Sequence, residues 1–491
     1  MDDARSQPLN FAITYGQLPV LFHRQVEATP VASPHVLLRN DKLAAELGID
    51  KAWFASDAAL QAMAGNAHLP GAVPLAMAYS GHQFGGWSPL LGDGRALLIG
   101  EWLTPDGTRV DLHLKGSGPT PYSRNGDGRS ALGPMLREYI VSEAFAGLGI
   151  PTTRSLAVVT TGEEVYRRVK EPGGILTRTA KSHVRVGTFQ LAASIQDRDA
   201  LAALLAHEIA RNFGSVPGDE TAALWFLRQV IARQAPLVAQ WMAVGFIHGV
   251  MNTDNMQVAG ETIDFGPCAF MDAFHPQKVF SSIDSHGRYA WDKQPTMAFW
   301  NLTRLAESLL SLIDDKQDKA VELATAELTQ FMPAFEMHFE AIMRAKLGLT
   351  TPQEKDGAFI AQVFTHMMRG EADHTLFFRH LTQIAAGGPE KPLRKVMKDD
   401  AIAEAFLVFW RERVAAEGRP DVAAMQKANP IRIARNHRVE EAIVAAYADD
   451  IAPAQRLIAA LANPLEERAD LEDLELPPRE DEEVRQTFCG T

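Results

Sequence analysis

The stretch His248 to Phe270 reads HGVMNTDNMQVAGETIDFGPCAF. Asn255 follows His248 by seven positions, and Asp264 opens a D-F-G triplet nine positions after that. An amide and a carboxylate on opposite arms of a short hairpin are hard oxygen donors of the kind a magnesium ion takes, with water and phosphate supplying the rest. Asp254 sets a second carboxylate beside the first donor. A nearby cation keeps such a group ionised, and it can then orient a hydroxyl or accept its proton. An Asp in a turn also caps its own backbone. Spacing does not choose between these two uses.

The intervals resemble the catalytic segment of protein kinases, H-R-D-L-x-x-x-N followed by D-F-G. One position departs. Val250 stands where a kinase carries its catalytic Asp, and a methyl-tipped side chain cannot take a proton. Upstream, Lys115 ends the strand-like VDLHLK and Glu138 lies inside the helical pattern that follows. Kinases use such a pair to hold an ammonium on nucleotide phosphates. Glycines cluster in GDGR, with Gly92, Gly94 and Arg95, and in GSGPTPYSRNGDGRSALG. Glycine lets backbone N–H groups approach phosphate oxygens, although Gly92-Asp93-Gly94 serves equally as a plain hairpin turn. Arg178 and Arg185, seven residues apart, are forks suited to phosphate only where a fold brings both to one cleft.

The texture along the chain separates strand from helix. Residues 1 to 75 read as an irregular N-terminal extension with one helix near DKLAAELGI, capped by Asp41. Residues 76 to 198 read as a strand-rich lobe, with hairpin turns at Asp93-Gly94 and Asp106-Gly107. Inside it, one helix runs over SALGPMLREYIVSEAFAGLGI and stops at Gly149-Ile150-Pro151, and strand texture continues through GGILTRTAKSHVRVGTFQ. Residues 199 to 300 turn helical around the quoted stretch, and residues 301 to 491 add further amphipathic helices and an acidic tail. The expected class is α+β, a two-lobed kinase-like plan with extra C-terminal helices.

Composition narrows the function. The 491 residues are 46% hydrophobic and 22% charged, ordinary for a globular enzyme. A net charge of −13 argues against a nucleic-acid footprint and against an anionic membrane surface. No apolar run is long enough to span a bilayer, and MDDARSQPLN lacks the pattern of a targeting signal, so a cytoplasmic protein is expected. The acidic run EERADLEDLELPPREDEEVR reads as a solvated tail. Two cysteines, Cys268 and Cys489, exclude a disulfide framework. Both stand at odd places, one just past the D-F-G triplet and one third from the end.

With these residues in view the chain resembles the selenoprotein O (SelO) family over nearly its whole length. The resemblance rests on YSGHQFGGWSPLLGDGRALLIGE, HLKGSGPTPYSRNGDGRSAL, REYIVSEAFAGLGIPTTR, SHVRVGTFQ, GFIHGVMNTDNM with TIDFGPCAFMD, and NPIRIARNHRVEEAI, in that order. It implies a kinase-fold protein adenylyltransferase. ATP lies inverted, AMP passes to a protein Ser, Thr or Tyr hydroxyl, and pyrophosphate leaves. By motif it assigns nucleotide contacts to Gly92, Gly94, Arg95, Lys115, Asp127, Gly128, Arg178, Arg185 and Asp264, with Glu138 positioning Lys115. It makes Asp254 the proton acceptor and Asn255 and Asp264 the ligands of Mg2+ or Mn2+. Under an inverted nucleotide Val250 is no lesion. In that setting Cys268 and Cys489 become a candidate redox pair. The competing expectations are an ATP-dependent protein kinase and a non-catalytic nucleotide-sensing scaffold.

Overall fold

The computed structural model describes residues 10–167 and 169–488. Its N-terminal part is built on strands β1 (Phe11–Ala12), β2 (His23–Gln25), β3 (His35–Arg39), β4 (Leu75–Met77), β5 (Gly81–Gln83), β6 (Gly86–Ser88), β7 (Ala96–Leu103), β8 (Arg109–Lys115), β9 (Arg154–Tyr166) and β10 (Lys170–Ala180). Eight of these form one antiparallel sheet in the order β2-β4-β7-β8-β10-β9-β3, with β1 also paired to β7; β5 and β6 make a separate hairpin. Asp106-Gly107 turns β7 into β8, with Leu103 opposite Arg109, as the Asp-Gly signal predicts.

Strand β8 shows how the sheet faces are assigned. Leu112 and Leu114 point to one face, where they join a core with Leu43, Phe54 and Met63. Those three come from helices α1 (Asp41–Glu46), α2 (Lys51–Phe54) and α3 (Asp57–Met63). Asp111, His113 and Lys115 take the alternate positions and are all buried on the other face. A row of ionisable groups therefore runs along one strand, into the space between sheet and helices.

That space is bounded by α4 (Leu132–Gly147). Leu136, Ile140 and Phe145 are 0% exposed, and α4 is buried nearly all round. One side lies on β9 and β10; the other is covered by the helices Asn436–Tyr447 and Ala452–Leu461. The contact is close: a Cβ on Gly147 would sit 2.1 Å from the Leu461 carbonyl oxygen. Beyond the sheet come α5 (Val186–Ser194), α6 (Arg198–Glu208), α7 (Ala222–Ala243) and α8 (Gln294–Ile313), then further helices to Leu461. The two-residue strands β11 (Phe246–Ile247) and β12 (Ala269–Phe270) pair and enclose the loop that carries Asn255 and Asp264. No helix among the described residues is long and apolar enough to cross a membrane.

Several local expectations change. The N-terminal stretch is not irregular, since β1, β2 and β3 complete the sheet. The cap of α1 is Asn40, whose side chain accepts from Leu43 N, and Asp41 falls in the first turn. Asp93-Gly94 joins no paired strands, because β7 pairs with β1, β4 and β8 and never with β6. Strand texture ends at Ala180, and Arg185 becomes the extended residue that caps α5, its N–H bonded to Thr188 Oγ1 at 3.2 Å. Asn255 and Asp264 are not on paired arms of one hairpin. Their segments are anchored separately, through the Arg185–Gln257 and Thr152–Thr262 bridges. The acidic run is not simply solvated: Leu471 and Leu474 are buried, and Arg432 pairs with Glu475 at 3.0 Å.

Candidate active site

Asp264 has φ of 63°, a left-handed backbone uncommon for a non-glycine residue though better tolerated by Asp than by most, and packing helps to hold it here. The next residue supplies the hold. Phe265 is 1% exposed and packs edge-on to Phe145 of α4 and Phe246 of β11. With the ring fixed in the core, the carboxylate turns the opposite way. It receives Lys115 Nζ at 2.8 Å and Arg178 Nη1 at 2.9 Å on Oδ1, and Arg185 Nη1 at 3.2 Å on Oδ2. Glu138 completes the cluster, accepting Lys115 at 2.6 Å and Arg178 at 2.9 Å. Burial alone would raise the Asp264 carboxyl, but Lys115, Arg178 and Arg185 outweigh it and hold the group well below the usual carboxylate range. Glu138 is lowered in the same way, chiefly by Lys115 and Arg178 against burial. Over the cavity around this cluster seven Lys and Arg side chains line the wall against five Asp and Glu, and the surplus positive charge favours a bound polyanion.

The neighbouring loop is built differently. Thr253–Asn255 form one tight turn, sewn to the β5–β6 hairpin through Asn252, Thr253 and Asp254. Thr253 Oγ1 accepts His82 N at 2.7 Å, and Asn252 Oδ1 accepts Phe84 N at 3.0 Å and the Tyr289 hydroxyl at 2.6 Å. Asp254 Oδ2 accepts Gln83 Nε2 at 2.9 Å, whereas its buried Oδ1 has no partner among the described residues. Burial raises the Asp254 carboxyl, against the pull of Gln83 and Arg185. Asn255 spends its amide nitrogen on the Val250 carbonyl at 3.0 Å, which leaves Oδ1 as the end available to a cation. His248 braces both segments: its Nδ1 accepts Val250 N, so Nε2–H donates to the Ile263 carbonyl at 3.0 Å. Burial pushes this imidazole down to about 4.

One cavity of about 740 Å³ joins these parts. Gly92, Gly94, Arg95, Lys115, Asp127, Gly128 and Glu138 line it from the sheet side, and Arg178, Arg185, Asp254, Asn255 and Asp264 complete it. Two positions admit only glycine. A Cβ at Gly128 (φ of 64°) would lie 2.1 Å from the Gly118 backbone, and one at Gly92 (φ of 134°) 2.6 Å from the Tyr122 ring. Asp127 stands at the exposed rim, paired with Arg167 at 2.9 and 3.0 Å. Cys268 lies outside the cavity; its thiol donates to the Phe265 carbonyl at 3.2 Å and burial pushes it up to about 12. Cys489 lies outside the described residues. Sequence reasoning passed over Asp93, Tyr79, Gln83 and Asn252, which line the cavity as well, and His113 behind it. For His113 a signal existed: it alternates with Lys115 along β8, so period two puts both on one face.

The donors suit a hard divalent ion. Asn255 Oδ1 and Asp264 are oxygen ligands, and Asp254 adds an orphaned buried carboxylate oxygen beside them. Among the described residues no cluster of three or more His, Cys, Asp or Glu forms a cage.

Residues 6–462 match the family described as Protein adenylyltransferase SelO. Relatives named Protein nucleotidyltransferase YdiU align over almost the full chain. One from Agrobacterium fabrum is 52% identical, covering 98% of this chain and 100% of that protein. Those from Rhodopseudomonas palustris strain BisB18 and Bradyrhizobium sp. strain BTAi1 are each 51% identical, covering 98% of this chain and 99% of theirs.

Proposed function

The chain belongs to the protein adenylyltransferase SelO family, and from that premise we propose that it transfers AMP from ATP to Ser, Thr or Tyr hydroxyls of other proteins. The observation that carries this is the split between the two carboxylates of one loop. Asp264 is tied to three cations, while Asp254 keeps an unpartnered oxygen beside them. The sheet-rich part, the Lys115–Glu138 pair and the Asp264-Phe265-Gly266 turn support a kinase-like two-lobed plan. Its N-lobe is the sheet and helix of residues 76–198 joined by the strands that residues 1–75 add to the same sheet, the C-lobe core spans 199–300, and a helical region follows over 301–491.

In this scheme the triphosphate lies with its α-phosphate toward Asp254. The acceptor hydroxyl forms the new O–Pα bond and gives its proton to Asp254. The Pα–O bond to the β-phosphate breaks, and pyrophosphate leaves against Lys115, Arg178 and Arg185. Arg95 and the backbone at Gly92, Gly94 and Gly128 serve the nucleotide, with Asp127 at the rim. Asn255 and Asp264 would hold Mg2+ or Mn2+, whose charge offsets that of the phosphates. Positioning and charge neutralisation account for most of such a reaction, and Val250, 4% exposed at the cavity wall, plays no proton role. A cytoplasmic location agrees with folding that relies on no disulfide framework.

Redox control fits the same site. Thr487 Oγ1 donates to the Pro267 carbonyl at 2.6 Å, so the chain reaches the neighbour of Cys268 two residues before Cys489. A cellular oxidant would take two electrons from the two thiols to close the bridge. Thiol titration before and after reduction, with activity measured in parallel, tests it; unchanged activity with a formed bridge ends the regulatory idea.

Incubation with α- or γ-labelled ATP and magnesium tests the main assignment. Label from the α-position on protein is expected. Label from the γ-position would instead mark a protein kinase, and no label a nucleotide-binding scaffold.

A further inference from the structure

Asp93 sits between the two glycines of GDGR, yet its carboxylate is 4% exposed and turns inward. Oδ2 accepts Met77 N at 3.3 Å and faces His113 Nε2 at 3.1 Å; Oδ1 accepts the Tyr79 hydroxyl at 3.3 Å. His113 is fully buried, and its Nδ1 faces Arg178 Nη2 at 3.4 Å. A guanidinium can only donate, so Nδ1 must be the bare nitrogen and Nε2 must carry the proton toward Asp93. One tautomer satisfies both contacts. Burial, reinforced by Arg178 and Arg185 and opposed by Asp93, keeps the ring neutral. His183 stacks on it at 4.3 Å, itself held by Asp111 at 2.9 Å.

The same carboxylate reaches the second arginine. Arg185 lies over the Tyr79 ring at 4.7 Å, and its Nη2 is 3.8 Å from Asp93 Oδ1. Each guanidinium thus has one nitrogen on cleft oxygens and another turned toward Asp93, through an imidazole in one case and directly in the other. We propose that Asp93 and His113 are a positioning dyad for Arg178 and Arg185, which aims both forks at the distal phosphates of the nucleotide. This rests on the assignment of those arginines to the pyrophosphate end. Neither dyad residue touches the reacting atoms. Removing the dyad leaves both guanidinium charges and their Nη1 contacts to Glu138 and Asp264 in place but unfixes the Nη2 end of each fork.

The test uses the full chain with His113→Leu, Asp93→Asn and His113→Asn, and titrates inorganic pyrophosphate and AMP separately by calorimetry. Asp93→Asn can present an N–H to Nε2, which drives the proton to Nδ1 and sets a donor against Arg178. His113→Asn can still offer an oxygen near the Nδ1 position. Loss of an aimed hydrogen bond from a charged group predicts about tenfold weaker pyrophosphate binding for His113→Leu and Asp93→Asn. AMP affinity should stay within about twofold, and His113→Asn should recover most of the loss. Equal losses for pyrophosphate and AMP, or unchanged pyrophosphate affinity, would overturn the dyad. If His113→Leu does not fold, the other two variants still decide. Arg178→Ala separates the two levels. If it weakens pyrophosphate while the dyad variants do not, only the dyad fails; if it has no effect, the assignment of the arginines fails and takes the dyad with it.

Discussion

Asp254 and Asp264 stand ten positions apart on one loop, yet they lie in opposite electrostatic worlds. Asp264 is saturated by Lys115, Arg178 and Arg185 and its proton affinity is driven down. Asp254 is dried out, holds one hydrogen bond from Gln83, and its proton affinity is driven up. Two carboxylates whose surroundings push them apart are suited to separate duties, one to hold charge and the other to handle a proton. The division comes from the walls on either side. The wall around Asp264 is the sheet, α4 and the start of α5, and the wall around Asp254 is the β5–β6 hairpin.

The largest effect should follow from Asp264→Ala. Transfer of α-labelled phosphate should vanish, and the fold should weaken because Lys115 and Arg178 are left to share Glu138 and Arg185 keeps only the more distant Asp93; label incorporation equal to wild type would erase the distinction between the two carboxylates. Asp254→Ala should lower turnover by about 10²- to 10⁴-fold while nucleotide affinity stays within about threefold. A raised KM with intact turnover would show that Asp254 binds and does not handle the proton. Gln83→Ala removes the one hydrogen bond steering Asp254 and should cost roughly three- to tenfold in turnover, read from the same assay.

The smallest effect concerns the brace behind both walls. His248 titrates near 4 when folded and near its ordinary 6.5 when unfolded. Between those values the unfolded chain binds the extra proton, so stability is complete above about pH 6.5 and falls as pH drops through the window. Between pH 7.5 and 5 the loss due to this residue should be about 2 kcal/mol. Urea unfolding of the wild type and of His248→Gln at both values measures it; parallel losses in the two proteins would remove His248 from the account.

Much of the candidate site was legible because its residues announce themselves by spacing: Asn255 and Asp264 downstream of His248, and Lys115 at the end of an alternating strand. The arginines were not legible. Arg178 enters the cleft because β10 pairs with β8 in a register that sets it opposite His113, and register is a property of the assembled sheet. Arg185 arrives through a helix start that its own backbone bridge to Gln257 creates, where local pattern read strand. Asp93 was hidden in plain view, since a turn between glycines explains itself without its side chain. The acidic run misled for the opposite reason: its charge suggested solvent, while Leu471 and Leu474 anchor it.

Helix α4 is flanked by the sheet and by the C-terminal helices, with Gly147 against Leu461. A helix boxed in along both long sides has no room to swing outward, and so the Lys115–Glu138 link cannot be broken by that motion. Enzymes that switch by displacing such a helix need an empty space behind it. Here the space is filled, which keeps the Lys115–Glu138 side of the cleft assembled and would leave any on–off decision to the hairpin side or to the end of the chain.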